Sequence, residues 1–213
     1  MKNYEFVPKN QVRSLINNLL RVIKLVQKEL KGKLDFSHRF EGPLAHNMIL
    51  CDYENNLGYE FDIDLILDFK NGNKYDPKET KVTLMELFNK YGSQLKFSRC
   101  KNEKRFFRME INDEDHREMI HKINFRIKFV HKDKIEQYID YNSKNANYFW
   151  EFWPIHLLSV EDQYRWCADN NLEMHIRQTY LVTKNNETRK ISSYSQFAES
   201  VNTVHIVYNK DAK

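Results

Sequence analysis

Two aspartates, Asp62 and Asp64, stand two residues apart in the apolar run EFDIDLIL at residues 60–67. Alternate residues of a β-strand point to the same side of the sheet, so both carboxylates project from one face with Cα atoms about 7 Å apart. Carboxylates held side by side repel each other unless a proton or a cation lies between them, and Mg²⁺ or Mn²⁺ suits such oxygen ligands. The pair therefore predicts a divalent-metal site on a buried strand. The alternative is an acidic face that is exposed or paired with Lys or Arg.

The segments around this pair resemble the nucleotidyltransferase superfamily, which has a polymerase β-like fold. The residues that carry the resemblance are RFEGP at 39–43, a turn-prone segment up to residue 58, and FDIDL at 61–65. The chain is most similar to the group of bacterial cyclic-oligonucleotide synthases and their eukaryotic relatives, in which a helix precedes the core and a helical domain follows it. The resemblance covers residues 10–131 in outline.

In that superfamily a Gly-Ser turn holds the nucleotide phosphates, and two Asp plus a third acidic residue on a later strand bind two metal ions. The ions stabilise the attacking and leaving oxygens of an in-line displacement. The resemblance thus implies Mg²⁺ or Mn²⁺ as the cofactor and a nucleoside triphosphate such as ATP as a partner. The implied catalytic and metal-binding residues are Asp62, Asp64 and Glu110. The implied nucleotide-binding residues are Gly42, Pro43, His46 and Lys128.

The sequence departs from the superfamily pattern at the residues that complete the site. Pro43 follows Gly42 where Ser is expected, which removes a hydroxyl and a backbone N–H from the phosphate turn. In the run INFRIKFV at residues 123–130, Lys128 stands where the third Asp is expected, and Glu110 on a neighbouring strand is the other candidate. A Lys at that place repels metal ions and forms an ion pair with one of the aspartates, as expected of a relative with weakened or lost catalysis.

Three functions remain open from these residues. The first is metal-dependent transfer of a nucleotidyl group from a nucleoside triphosphate to a hydroxyl acceptor, which includes nucleotides and nucleic acids. The second is a catalytically inactive protein of the same fold that binds nucleotide, nucleic acid or a protein partner. The third is a metal-dependent nuclease, which predicts that Lys70 of the Asp68-Phe69-Lys70 triplet points at the aspartate pair. Lys128 beside the pair, with no third carboxylate in reach, would favour the second.

Hydrophobic periodicity predicts an α+β fold, in which a nucleotidyltransferase-like mixed sheet packed by helices is followed by a helical region. The predicted division is a core over residues 1–131 and a mostly helical C-terminal region over 132–213. Predicted helices cover residues 8–31, 77–91, 133–141, 145–152, 160–170 and 172–184, and predicted strands cover 34–41, 59–69, 95–99, 104–112 and 122–131. The segment 192–208 fits either a strand or a helix. The aromatic run at 148–153 predicts packing between helices, with stacking on a nucleobase as the alternative.

The composition excludes several other classes of protein. The chain has 213 residues, of which 41% are hydrophobic, and a formal net charge of +4, which permits a polyanionic partner without requiring one. Its three cysteines form no CxxC pair, so a zinc ribbon is not expected. Neither a P-loop nor a GxGxxG motif is present. Residues 1–11 lack an apolar signal segment and no apolar stretch is long enough to span a membrane, so the prediction is a cytoplasmic protein. The oligomeric state is left open.

Overall fold

The computed structural model describes residues 2–68, 75–116, 118–130, 136–152, 159–188 and 191–209. Its helices are α1 (Lys9–Leu30), α2 (Pro77–Gly92), α3 (Val160–Asp169), α4 (Glu173–Asn186) and α5 (Ser193–Tyr208). Its strands are β1 (Glu5–Phe6), β2 (Phe36–Glu41), β3 (Leu50–Cys51), β4 (Leu57–Leu67), β5 (Lys101–Asn102), β6 (Phe107–Asn112), β7 (Ile120–Val130), β8 (Glu136–Asn142) and β9 (Asn147–Phe152). None of the helices described is long and apolar enough to cross a bilayer.

A mixed sheet of seven strands forms the centre of the molecule. Strands β2, β4, β7, β6 and β5 lie side by side in that order, and β8 pairs with both β7 and β9. The central strands β4 and β7 are parallel, whereas the other pairs are antiparallel. This sheet, packed by helices, confirms the predicted fold class.

The apolar face of the sheet packs against α1 and α2. Apolar residues recur along α1 at spacings of three and four and are buried, as in an amphipathic helix. The ring of Phe88 on α2 lies 4.4 Å from that of Phe125 on β7, measured between centroids. Phe61, Ile63 and Leu65 of β4 are fully buried in the same cluster. This packing fixes β4 at the middle of the core and turns its other face away from α1 and α2.

Three of the predicted elements were wrong. Residues 95–99 are not a strand, because a 3-10 turn occupies Ser93–Leu95 and the short β5 begins only at Lys101. Where helices were predicted at 133–141 and 145–152, residues 136–152 instead form the hairpin of β8 and β9, and residues 131–135 lie outside the described part of the chain. The hairpin is rich in Tyr, Phe and Trp, which favour strands, and pairing of β8 with β7 extends the sheet. Long-range pairing thus overrode the local helical pattern.

Helices α3, α4 and α5 form a second layer with its own apolar cluster. Buried residues of this cluster are Met48, Leu50, Tyr164, Cys167, Leu172, Ile176, Tyr180, Phe197, Val201 and Val204. The Ser159 side chain caps α3 by accepting a hydrogen bond from the Asp162 N–H at 3.1 Å. The ambiguous segment 192–208 is a helix over almost all its length. The predicted domain division at residue 131 stays a prediction.

Candidate functional site

The second face of β4 carries a row of three carboxylates, Glu60, Asp62 and Asp64. Asp62 is 6% exposed and Asp64 is fully buried. In the register of the parallel pair, Asp62 lies opposite Asn124 and Asp64 opposite Arg126 of β7. The two aspartates therefore share one face of a central strand, as the sequence predicted, but their neighbours on β7 are an amide and a cation.

Asp64 is enclosed by cations. Arg126 Nε donates to Asp64 Oδ1 at 2.7 Å, and Lys128 Nζ lies 2.8 Å from Asp64 Oδ2. Arg39 of the edge strand β2 adds a guanidinium nitrogen 3.6 Å from the same Oδ2. Burial alone would raise the pKa of Asp64, but the charges of Arg126 and Lys128 outweigh it and hold that pKa below its ordinary value. Both oxygens of Asp64 are consequently committed to ion pairs.

Asp62 has a different environment although it is only two residues away. Its Oδ1 accepts one hydrogen bond, from Asn124 Nδ2 at 3.1 Å. Its Oδ2 is buried without a hydrogen-bond partner among the described residues. Burial raises the pKa of Asp62 to about 6, against the opposing charge of Arg126. This carboxylate is thus the one whose charge is poorly compensated.

Glu60 completes the row and connects it to the helical layer. It accepts hydrogen bonds from Arg108 Nη2 at 3.1 Å and Asn124 Nδ2 at 2.8 Å, both through Oε1. Its Oε2 accepts from the backbone N–H of Ser193, in the first turn of α5, at 3.0 Å. Burial opposes ionisation of Glu60, but these donors lower its pKa overall. A carboxylate at a helix N-terminus also interacts favourably with the helix dipole.

The structure does not bring Glu110 to the aspartate pair. Glu110 lies opposite Lys122 in the register of β6 and β7, whereas the residue opposite Asn124 is Arg108. The Glu110 carboxylate is 2.7 Å from the ammonium of Lys101 instead. Across the residues that the structure describes, no group of three His, Cys, Asp or Glu side chains is arranged to hold a metal ion.

Most of the residues that the resemblance implied for nucleotide binding are engaged within the protein. Gly42 and Pro43 are buried in a 3-10 turn that directly follows β2. The ring of His46 stacks on Tyr164 at 3.6 Å between centroids, and its Nε2 lies 3.2 Å from Glu161. Lys128 is at the aspartate pair, as described above. Lys70, which the nuclease hypothesis needs, lies outside the described residues.

These residues do not fit a pair of catalytic metal ions. Two-metal sites use several carboxylates with free lone pairs, whereas each oxygen of Asp64 already has a cation within 2.8 Å. Burial disfavours the charge of Arg126, but Asp64 and Asp62 raise its pKa, so the guanidinium stays protonated. A divalent ion at this place would meet the fixed positive charges of Arg126 and Lys128.

Sequence reasoning missed Arg126, the residue that most changes the interpretation of the site. A signal for it was present, because Asn124, Arg126 and Lys128 alternate along β7 and must share one face. The contacts of Glu60 with α5 had no such signal, since Ser193 is separated from Glu60 by 133 positions in the sequence.

The fold is similar to that of solved nucleotide-bound enzymes. CD-NTase CdnG of Bradyrhizobium diazoefficiens, in complex with GTP, superposes with a TM-score of 0.59 at 11% identity, over 93% of this chain and 67% of that chain. DncV of Escherichia coli, in its 3'-deoxy GTP bound form, gives 0.57 at 12% identity, over 93% and 54%. The chain has a nucleotidyltransferase fold. DncV of Vibrio cholerae, in its 3'-deoxy ATP bound form, gives 0.55 at 13% identity, over 93% and 53%.

This likeness confirms the resemblance seen in the sequence at the level of the nucleotidyltransferase fold. The chain spans about half the length of the DncV chains that it matches. No protein-family model matches the sequence, and no curated protein is significantly similar to it.

Proposed function

We propose that this chain is a non-catalytic nucleotidyltransferase-fold protein that binds a nucleoside triphosphate without a divalent metal ion. The observation that carries the proposal is the enclosure of Asp64, with Arg126 and Lys128 at 2.7 and 2.8 Å from its two oxygens. In-line nucleotidyl transfer needs metal ions that neutralise the attacking and leaving oxygens. With its ligand positions taken by side-chain cations, the site retains charge for binding but not the ions for transfer.

The exposed guanidinium of Arg39, at the edge of the ion-pair cluster, supports anion binding. Arg39 is 54% exposed, and its guanidinium reaches Asp64, Glu41 and Glu136. Burial and the nearby Asp64 raise the pKa of Glu41 to about 7, so near neutral pH this group carries only part of a negative charge. Asp62, with a pKa of about 6, also carries most of its negative charge at neutral pH, so the cluster has no excess of positive charge and a phosphate binds by replacing the partly protonated Glu41 beside Arg39. Guanidinium groups bind phosphate oxygens through paired hydrogen bonds.

The class of ligand comes from the solved relatives. The structure of CdnG is in complex with GTP, and the structures of DncV are in 3'-deoxy GTP bound and 3'-deoxy ATP bound forms. A nucleoside triphosphate is therefore the first ligand to test, with its phosphates on the cluster of Arg39, Arg126 and Lys128.

One observation favours metal-dependent transfer as a second candidate function. Asp62 Oδ2 is buried and lacks a hydrogen-bond partner among the described residues, as a carboxylate awaiting a cation would. For this candidate, Arg126 and Lys128 would have to leave Asp64 before an ion could bind, and another carboxylate would have to replace the remote Glu110.

The two candidates differ in their need for metal. The full chain is titrated with ATP and with GTP in a calorimeter, once with EDTA and once with Mn²⁺, and pyrophosphate release is measured in parallel. We expect equal affinities in both conditions and no pyrophosphate. Arg39→Met should weaken binding about tenfold, since one phosphate contact is lost. Lys101→Met is the matched control, because it removes the cation of the separate Glu110 pair. It should bind both triphosphates as tightly as the wild type.

The opposite results identify the alternatives. Mn²⁺-dependent pyrophosphate release that disappears in Asp62→Ala would establish metal-dependent transfer. Absence of binding to either triphosphate would show that the ligand belongs to another class.

A further inference from the structure

The first turn of α5 lies directly on the turn that follows β2. Gly42 has a φ of +57°, and a Cβ added there would come within 2.8 Å of the Tyr194 ring. Gly42 itself is buried. The proposed function places phosphates on Arg126, which the Tyr194 ring also contacts, so the ring occupies space beside the phosphate site.

Tyr194 also covers the cation that faces the aspartates. The guanidinium carbon of Arg126 is 4.5 Å from the centroid of the Tyr194 ring, within the range of a cation–π interaction. Arg126 is only 8% exposed. A phosphate oxygen that binds Arg126 from the side of α5 must therefore displace this ring.

Neighbouring contacts of α5 hold the ring in place. The N–H of Ser193 donates to Glu60 Oε2 at 3.0 Å, and Ser193 Oγ accepts from Lys184 of α4 at 2.7 Å. Ser192 caps the helix by accepting from the Ser195 N–H. These hydrogen bonds are within the first turn of α5, whereas the buried Phe197 of the next turn belongs to the apolar cluster of the helical layer.

From this arrangement we infer that Tyr194 gates the site: a nucleoside triphosphate binds only when the first turn of α5 moves off Gly42 and Arg126. The inference rests on the proposed function and adds its regulation. Ligand occupancy and the position of α5 are then coupled, because part of the binding free energy is spent on moving the helix turn. Apparent affinity is reduced by the fraction of molecules in which the gate is closed.

The test compares Tyr194→Ala with the wild-type chain. ATP affinity is measured by calorimetry in EDTA, and backbone hydrogen exchange is followed at residues 193–195 with and without ATP. We expect ATP to bind at least about tenfold more tightly to Tyr194→Ala, and to speed exchange of the Ser193 amide in the wild type as its bond to Glu60 opens. Tyr208→Ala, at the other end of α5 and 46% exposed, is the matched control.

Each other outcome has a defined meaning. If the wild type and Tyr194→Ala bind ATP with equal affinity, or if ATP leaves residues 193–195 of the wild type protected, the gate is wrong while the proposed function stands. If neither binds ATP, the proposed function is wrong and the gate fails with it. Tyr194→Leu keeps apolar volume at this position and replaces the Ala variant if circular dichroism shows that the latter is unfolded. Tyr194→Leu should also bind ATP more tightly than the wild type.

Discussion

Asp62 and Asp64 are the same residue type on the same face of one strand, yet the side chains around them shift their pKa values in opposite directions. Asp64 has two cations within 2.8 Å and a lowered pKa. Asp62 has one amide donor and a pKa raised to about 6. Both are buried, so burial does not distinguish them. The difference teaches that an Asp-x-Asp pair reports on function only together with the residues on the neighbouring strand.

The largest expected effect is that of removing Arg126, the cation opposite Asp64. Arg126→Met leaves Asp64 buried with Lys128 as its main partner, and breaking a buried ion pair costs about 3–5 kcal/mol. We expect a loss of that size in the free energy of unfolding, measured with urea at pH 7. The double variant Asp64→Asn/Arg126→Met should lose less than the sum of the two single variants. A loss below about 1 kcal/mol for Arg126→Met would show that Arg126 does not neutralise Asp64 in the folded protein.

Removing the charge of Asp64 should also destabilise the protein. Asp64→Asn leaves Arg126 and Lys128 buried without their carboxylate, and we expect a loss of about 2–3 kcal/mol at pH 7. Because the pKa of Asp64 is lowered in the folded state from 3.8, its contribution is present above that pH and is lost as pH falls through the folded value. Urea unfolding at pH 7 and at pH 3 measures this. If Asp64→Asn lost the same free energy of unfolding at both pH values, the lowered pKa of Asp64 would be contradicted.

Removing the charge of Asp62 should stabilise the folded protein, which is the opposite of the effect expected at Asp64. Its pKa is raised from 3.8 to about 6, so its favourable contribution is complete below pH 3.8 and is lost as pH rises through 6. Asp62→Asn should therefore be more stable than the wild type by about 1–2 kcal/mol at pH 7, and the gap should close near pH 4. A series of unfolding curves from pH 4 to pH 7 is the measurement. A loss of stability equal to that of Asp64→Asn would remove the contrast between the two aspartates.

The smallest effect is expected at Glu110. Its partner Lys101 is 56% exposed, and exposed ion pairs contribute little. Glu110→Gln should change the free energy of unfolding by less than about 0.5 kcal/mol and should leave binding of ATP and of Mn²⁺ as in the wild type. A loss of Mn²⁺ binding in this variant alone would restore Glu110 as a metal ligand and favour metal-dependent transfer.

Much of the fold followed from local sequence patterns. The apolar spacing in α1 and the alternation in β4 are short-range features that each predict one element and one buried face. The hairpin of β8 and β9 could not be predicted in this way, because its strand character depends on pairing with β7. The aromatic residues 148–152 accordingly lie on a strand, where Trp150 Nε1 donates to the carbonyl of Tyr75 at 2.9 Å, and not in a helix packing on other helices.

The sequence by itself determined that two carboxylates lie on one face of a buried strand, and it named Lys128 as the residue that puts a metal site in doubt. Only the tertiary structure decided which aspartate is neutralised, because that depends on the register between β4 and β7, which places Arg126 beside Asp64 and Asn124 beside Asp62. It also decided what covers the acidic face, since the contact of α5 with Glu60 and Gly42 joins residues more than 130 positions apart. The sequence shows which side chains are charged. Which opposite charge neutralises each of them in the low-dielectric interior depends on neighbours that only folding brings together.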